Sequence, residues 1–322
     1  MVKNNLTRRS FIKSSSKIAV STILIPEINL SKANFNSNFK SSLVPGSIGL
    51  KTDVNRLISL AYNYNFNAIA PLTAELISFS SDQIETYLNN MNDHNLVFDS
   101  AGLPVQFRLD EKSFLNGYEE LKKNLPTLLK LKIPGFVTWI MPTNKKYNYF
   151  ENFNIHKSRL KKVASLLNDY NMRLGLEYVG PKTLMSRDKF PFIHTISELK
   201  TLVDAIDEKS VGYLLDSFHM FCSEDTVDDY AFLESNDIVS VQINDAVLGR
   251  SASEQIDLER NLPGVTGMID LKKFLTMLKS KGYNGCISVE PFNKNLNDIE
   301  ENEKLKRVYN SIQNTFQTII SS

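Results

Sequence analysis

Four stretches in the second half of the chain decide the reading of its fold: LGLEYVG at residues 174–180, GYLLDSFH at 212–219, VSVQINDA at 239–246 and CISVEPF at 286–292. Each is an apolar run of strand length that closes on an oxygen-bearing side chain, respectively Glu177, Asp216, Gln242 and Glu290. Runs this apolar read as strands of a parallel sheet buried on both faces. Alternation then sorts their side chains, because residues two apart share a face. Glu177 shares its face with Gly175, opposite Leu174, Leu176 and Tyr178. Gln242 lies with Ser240 and Asn244, opposite Val239, Val241 and Ile243, and Glu290 lies with Ser288 and Cys286, opposite Ile287 and Val289. Asp216, with Leu214 and Gly212, shows a weaker form of the pattern. Small residues on one face and bulky ones on the other fit a closed barrel with a narrow interior and a jacket of helices. The four polar groups then point at the barrel axis from the C-terminal strand ends, where sites on such a barrel are built.

Outward from these runs, the chain alternates strand-like and helix-like segments. Strands are expected at 47–50, 66–70, 96–100, 135–141, 173–179, 211–216, 238–244 and 285–290. Helices are expected at 54–64, 81–94, 114–131, 157–170, 196–206, 226–234, 271–281 and 297–320. Ser80-Ser81-Asp82 and Asp270 supply N-cap chemistry, and Gly282 supplies a stop. Eight strands alternating with eight helices predict an α/β fold, a single-domain (β/α)8 TIM barrel over residues 46–322. A doubly wound open sheet would more often carry a Gly-rich first turn, and none follows Leu50.

Residues 1–33 read as a leader. Thr7-Arg8-Arg9-Ser10-Phe11-Ile12-Lys13 looks like a twin-arginine export signal, an apolar stretch follows at 18–25, and Ser31-Lys32-Ala33 offers a cleavage site. That stretch is too short to span a bilayer stably, and no cysteine follows it to carry a lipid. The expectation is a periplasmic protein without a stable membrane anchor, with residues 34–45 as a linker. The net charge of +1, from 37 basic and 36 acidic residues, gives no global field for nucleic acid or an anionic membrane. Cys222 and Cys286 could pair, but Cys286 falls inside a strand, so two free thiols are expected.

Three acids and an amide at four buried strand ends are costly unless a cation neutralises them. Hard oxygen donors of this kind suit one divalent ion such as Mn2+, Mg2+ or Co2+. An ion held by Glu177, Asp216, Gln242 and Glu290 could grip adjacent oxygens of a hydroxy-ketone and stabilise an enediolate. Glu177 and Glu290 would then be the catalytic pair that takes and returns the proton. His219, three residues past Asp216, could hydrogen-bond a substrate hydroxyl. Simpler readings exist for each: a buried ion pair for Glu177, an N-cap for Asp216, a solvent-facing strand end for Glu290, an interior histidine for His219.

On LGLEYVGPKT, LLDSFHMF, QINDA, DLERNLPG and GYNGCISVEPF the chain resembles the xylose-isomerase-like sugar phosphate isomerase/epimerase superfamily over residues 46–295. That group includes D-tagatose 3-epimerase, inosose dehydratase and hydroxypyruvate isomerase. The resemblance implies one metal held by Glu177, Asp216, the seventh-strand position Gln242, and Glu290. It also implies substrate contacts from His219 and from Arg260, with Arg250 as the weaker match. Where that family most often has His, this chain has Gln242, a weaker neutral donor that shifts preference toward harder ions; the stricter alternative is a site that no longer holds metal. Asp245, Trp139 and Lys182 are further substrate-binding candidates, although Trp139 reads more simply as core and Lys182 as an exposed loop residue.

The function expected is a metal-dependent isomerase or epimerase of a ketose or related polyol. A lyase or dehydratase acting on keto-sugars or 3-keto-glycosides and a non-catalytic exported sugar-binding protein are the alternatives. An export signal counts against a phosphorylated substrate. A DNA-repair endonuclease on the same barrel would need several histidines around zinc and a basic surface, and this chain has four histidines. The partner expected is a small carbohydrate, and a homo-oligomer is compatible with the sequence.

Overall fold

The computed structural model describes residues 39–320, so the segment read as a leader, 1–33, lies outside the described residues. Eleven strands and ten α-helices are described: β1 Lys40–Leu43, α1 Val54–Asn63, β2 Ala68–Ile69, α2 Thr73–Leu76, α3 Ser81–Asp93, β3 Val97–Phe98, β4 Ala101–Gly102, α4 Glu111–Lys130, β5 Gly135–Ile140, β6 Thr143–Asn144, α5 Tyr149–Asn168, β7 Arg173–Tyr178, β8 Phe190–Pro191, α6 Ile196–Ile206, β9 Val211–Asp216, α7 Ser217–Ser223, β10 Ile238–Gln242, α8 Leu271–Ser280, β11 Cys286–Ser288, α9 Lys294–Asn297 and α10 Glu301–Gln317. Nine strands form one all-parallel sheet in the order β3-β2-β1-β11-β10-β9-β7-β5-β4. The two ends of that order, β3 and β4, are halves of one chain segment separated only by Asp99 and Ser100. Counting that segment once gives eight barrel strands, and the sheet closes through it. The remaining pair, β6 and β8, is a short antiparallel ladder made by the loops after β5 and β7.

Helix starts follow local chemistry. Ser80 and Gln83 form a reciprocal capping box at α3, and the Asp270 carboxylate accepts from the Lys273 N–H at α8. Helices α1, α5, α6 and α10 pack against strands β2, β7, β9 and β1, and the bulky strand residues Leu174, Leu176, Val241 and Ile287 are all fully buried.

Three expectations are corrected. The first strand is Lys40–Leu43, inside the segment read as linker, so the barrel begins before residue 46. Residues 45–48 are instead a single 3-10 turn, started by Pro45 and ended by Gly49 at φ 65°. The helix expected at 226–234 shrinks to the 3-10 turn Val227–Tyr230, and α7 forms earlier, directly after β9. Finally, the register of β10 on β9 shifts between Ile238 and Ser240. This bulge turns Val239 inward, where a Cβ on Gly175 would lie 3.0 Å from it, and strict alternation along β10 fails.

Candidate active site

The register sets the four strand ends side by side. Gln242 is level with Asp216 on one side and Ser288 on the other, while Trp139 is level with Glu177. Asp216 is the N-cap of α7: Oδ1 accepts from the Phe218 N–H at 2.6 Å. The N-cap reading of this residue therefore holds, and it does not exclude a place in the site. The other Asp216 oxygen, Oδ2, accepts from Arg260 Nη1 at 2.9 Å and from Asn244 Nδ2 at 3.1 Å. Hydrogen bonding assigns the Gln242 amide so that its nitrogen donates to Asp216 Oδ2 at 3.1 Å and to Glu290 Oε2 at 3.2 Å.

Arg260 lies within the cluster, 1% exposed. Its Nη2 donates to Asp257 Oδ1 at 2.8 Å, its Nη1 lies 3.5 Å from Glu290 Oε2, and its guanidinium sits 4.7 Å from the Phe218 ring centre and 5.2 Å from that of Phe292. His219 is buried beside it. Nδ1 faces the Gly180 N–H at 3.3 Å, and Nε2 lies 3.4 Å from Arg260 Nη2 and 3.7 Å from Glu177 Oε1. A Cβ at residue 180 would run into the His219 carbonyl oxygen, so glycine lets the loop after β7 approach α7.

Four carboxylates thus surround one guanidinium. Burial pushes Glu177 well above the ordinary carboxylate range, and Asp216 and Glu290 push it further. Burial also raises Glu290 to about 7, with Arg260 pulling the other way. Asp216 is raised by burial and held back by Arg260. His219 is depressed well below its usual value by burial and then by Arg260, and so is neutral at pH 7.

Glu177 Oε1 is buried and has no hydrogen-bond partner. An orphaned acceptor among excess acids calls for a cation or a proton. Glu177, Asp216 and His219 each bring a candidate ligand atom within 4.8 Å of the others, which makes them a candidate metal-binding triad. The donor set fits a divalent ion in charge and chemistry. Gln242 fits less directly, since its amide oxygen turns to such an ion only by giving up the two bonds to Asp216 and Glu290.

Other expected site residues part from the cluster. Both Asp245 oxygens serve the loop that follows β10, accepting from the N–H groups of Ala246, Thr266, Gly267 and Ile269 at 2.7–3.2 Å. Asp245 is fully buried, so the substrate-binding expectation is replaced by a structural role. Lys182 pairs with Glu224 and Arg250 with Glu259, both away from the acids. Trp139 is 50% exposed on the inward face beside Glu177, which overturns the core reading and puts its ring at the mouth. Both cysteines are free.

Sequence reasoning missed three residues. Asn244 donates to both Asp216 oxygens and accepts from the Glu290 N–H at 2.8 Å, tying three strand ends together. It shares the face of Gln242, a signal that could have found it. Asp257 stands in the DLERNLPG stretch, three residues before Arg260. Arg108 packs its guanidinium between Phe107 and Trp139, 4.2 and 4.3 Å from their ring centres, and bonds Thr138 Oγ1 at 2.7 Å and the Trp139 carbonyl. Burial lowers it to about 10. No sequence pattern marks it.

Comparison with known proteins agrees with this geometry. Residues 58–313 match the model of the xylose isomerase-like TIM barrel. The chain belongs to that family. An inosose isomerase of Halalkalibacterium halodurans is 26% identical over 199 residues, 61% of this chain and 67% of that protein. Among solved structures of xylose isomerase-like barrels, a xylose isomerase domain protein from Alicyclobacillus acidocaldarius superposes with a TM-score of 0.77 at 24% identity, covering 88% of this chain and 99% of that one. The IOLI protein with a bound zinc atom gives 0.71 at 19% identity, again over 88% and 99%. Among the described residues no helix is long and apolar enough to cross a membrane.

Proposed function

We propose that the protein is a divalent-metal-dependent isomerase or epimerase that moves a proton on the carbon next to the carbonyl of an unphosphorylated ketose or cyclic keto-polyol. The observation that carries this reading is the pair Glu177 and Glu290 in one buried acidic cluster around Arg260. Both are raised above the carboxylate range, and Glu177 has an oxygen free for a ligand. The inosose isomerase relative and the zinc-bound IOLI neighbour support it.

A bound divalent ion supplies positive charge that polarises the carbonyl and favours the ionised form of the acids around it. Glu290, raised by burial in the ion-free protein and drawn toward its ionised form by a bound ion, is a carboxylate that can accept a proton and return it, as a residue serving both directions of an isomerisation must. Glu177 is its counterpart on the other side of the substrate. Neutral His219 can offer an N–H to a hydroxyl without bringing a charge into the cluster. Arg108, Arg260 and Lys182 are each already bonded to a protein acceptor, which supports a substrate without phosphate; the twin-arginine-like stretch at 7–13 is the ground for proposing the periplasm as its site of action.

The test is solvent exchange. Inosose and unphosphorylated ketoses, incubated with the protein and Mn2+ in D2O, are expected to gain deuterium next to the carbonyl, with the exchange abolished by chelator and by Glu177→Gln. Exchange accompanied by loss of water would make the protein a dehydratase. Binding of these polyols, read from the fluorescence of the single tryptophan Trp139, with no exchange for any of them would sink the enzyme reading.

A further inference from the structure

We propose that Arg260 sets the ion affinity of this site: its guanidinium and a divalent ion compete for Asp216 and Glu290, and Asp257 keeps the guanidinium when the ion binds. The proposal rests on the metal-centred reading above. The acceptor count at Asp216 carries it. A carboxylate offers about four lone-pair positions. The two Asp216 oxygens already receive the Phe218 N–H, both contacts from Asn244, Arg260 Nη1 and the Gln242 amide. Adding an ion to either oxygen requires a donor to leave.

Two of these four donor groups are fixed, and the neutral Gln242 amide is not driven off by the charge of an ion. The Phe218 N–H belongs to the first turn of α7. Asn244 is pinned at its other end by the Glu290 N–H and through its own N–H by Ser217 Oγ at 2.9 Å. Arg260 has a second place to go. Its Nη2 and Nε already bond Asp257, at 2.8 Å to the carboxylate and 2.8 Å to the carbonyl oxygen. The rings of Phe218 and Phe292, 4.7 and 5.2 Å from the guanidinium, offer it apolar surfaces and no competing hydrogen-bond acceptor. Charge drives the exchange in the same sense, since a divalent ion among four carboxylates repels a guanidinium held a few ångströms away.

The measurement is calorimetric titration of Mn2+ into the whole chelator-stripped protein at fixed pH. Arg260→Met is expected to bind Mn2+ on the order of tenfold more tightly than the unmodified protein, because the competitor is gone. Asp257→Asn is expected to bind several-fold more weakly, because the displaced guanidinium loses its charged partner. If Arg260 merely props up the acids, both substitutions weaken binding, and that result overturns the proposal. Arg260→Met leaves four acids without their guanidinium; should it not fold, Asp257→Asn decides alone, and unchanged or tighter binding by that variant overturns the proposal. A protein that binds no divalent ion in either form overturns the metal-centred reading itself, whereas ion binding unaffected by either substitution overturns the competition alone.

Discussion

Replacing Glu290 by Gln tests the electrostatics of the mouth through folding rather than turnover. The Glu290 carboxyl titrates near 7 in the folded protein, against 4.5 as its ordinary value. A group whose folded pKa is raised binds more protons in the native than in the unfolded state between those two values, so stability falls as pH rises through them. At one pKa unit per roughly 1.4 kcal/mol, the protonated Glu290 contributes about 2–3 kcal/mol at pH 5, nearly all of it gone by pH 8. Neutral His219 and His156 run the other way, because unfolding lets them take up protons below about pH 6.5. Their contributions are common to the parent and Glu290→Gln and cancel in the difference. The assay is urea unfolding of chelator-treated protein at pH 5, 6.5 and 8. Glu290→Gln should gain about 2 kcal/mol on the parent between pH 5 and pH 8, with its own curve correspondingly flatter. Parallel curves for the two proteins would refute the claim that Glu290 is held protonated by burial.

Two further substitutions separate support from chemistry. Asn244→Ala removes the tie between Asp216 and the Glu290 N–H, leaving buried groups unpaired. A loss of about 2–3 kcal/mol in urea unfolding is expected together with weaker Mn2+ binding by calorimetry, and unchanged ion affinity would show that Asn244 does not position the acids. Gly180→Ala places a Cβ against the His219 carbonyl oxygen and near the Ser223 N–H, so α7 must move. Thermal unfolding should show about 1–3 kcal/mol of destabilisation, and a protein as stable as its parent would mean that the loop gives way instead.

Much of the barrel was legible because the signal was local. The runs at 135–140, 173–178 and 211–216 are apolar enough to be read as buried strands, and their observed bounds lie within a residue of the expected ones. β1 was not legible, since KSSL carries two serines where a core strand usually has aliphatics; both are buried, and Ser41 answers Asn67 rather than packing as a hydrophobe. α7 was hidden for a related reason: seven residues are too short for a period, and its cap, Asp216, doubled as a site candidate. The convergence of Glu177, Asp216, Gln242 and Glu290 followed from side-chain alternation. The placement of Arg260 among them did not, because it depends on where a long loop lands. The turn of the Gln242 amide toward the acids is set by two neighbours from other strands, Asp216 and Glu290, so one strand's pattern cannot show it.

That loop explains why two adjacent residues at the end of β10 do different work. Asn244 reaches back to the strand ends, while Asp245 reaches forward and gathers the N–H groups of Thr266, Gly267 and Ile269, with an antiparallel bridge from Asp245 to Asn261 closing the ring. Between these anchors the chain carries Asp257 and Arg260, the latter fixed further by its N–H on the Pro291 carbonyl oxygen at 3.1 Å. Asp245 therefore touches none of the site acids and still governs them, because a loop released from it no longer delivers the guanidinium. An acid whose two oxygens are both taken by the backbone N–H groups of one loop has no capacity left for a substrate. Glu177 keeps that capacity, because its Oε1 has no hydrogen-bond partner, and Asp216 regains it only where one of its side-chain donors leaves. Glu177 and Asp216 thus face side-chain donors and other acids of the cluster, whereas Asp245 faces the backbone of its own loop, although all three occupy the C-terminal end of the same barrel.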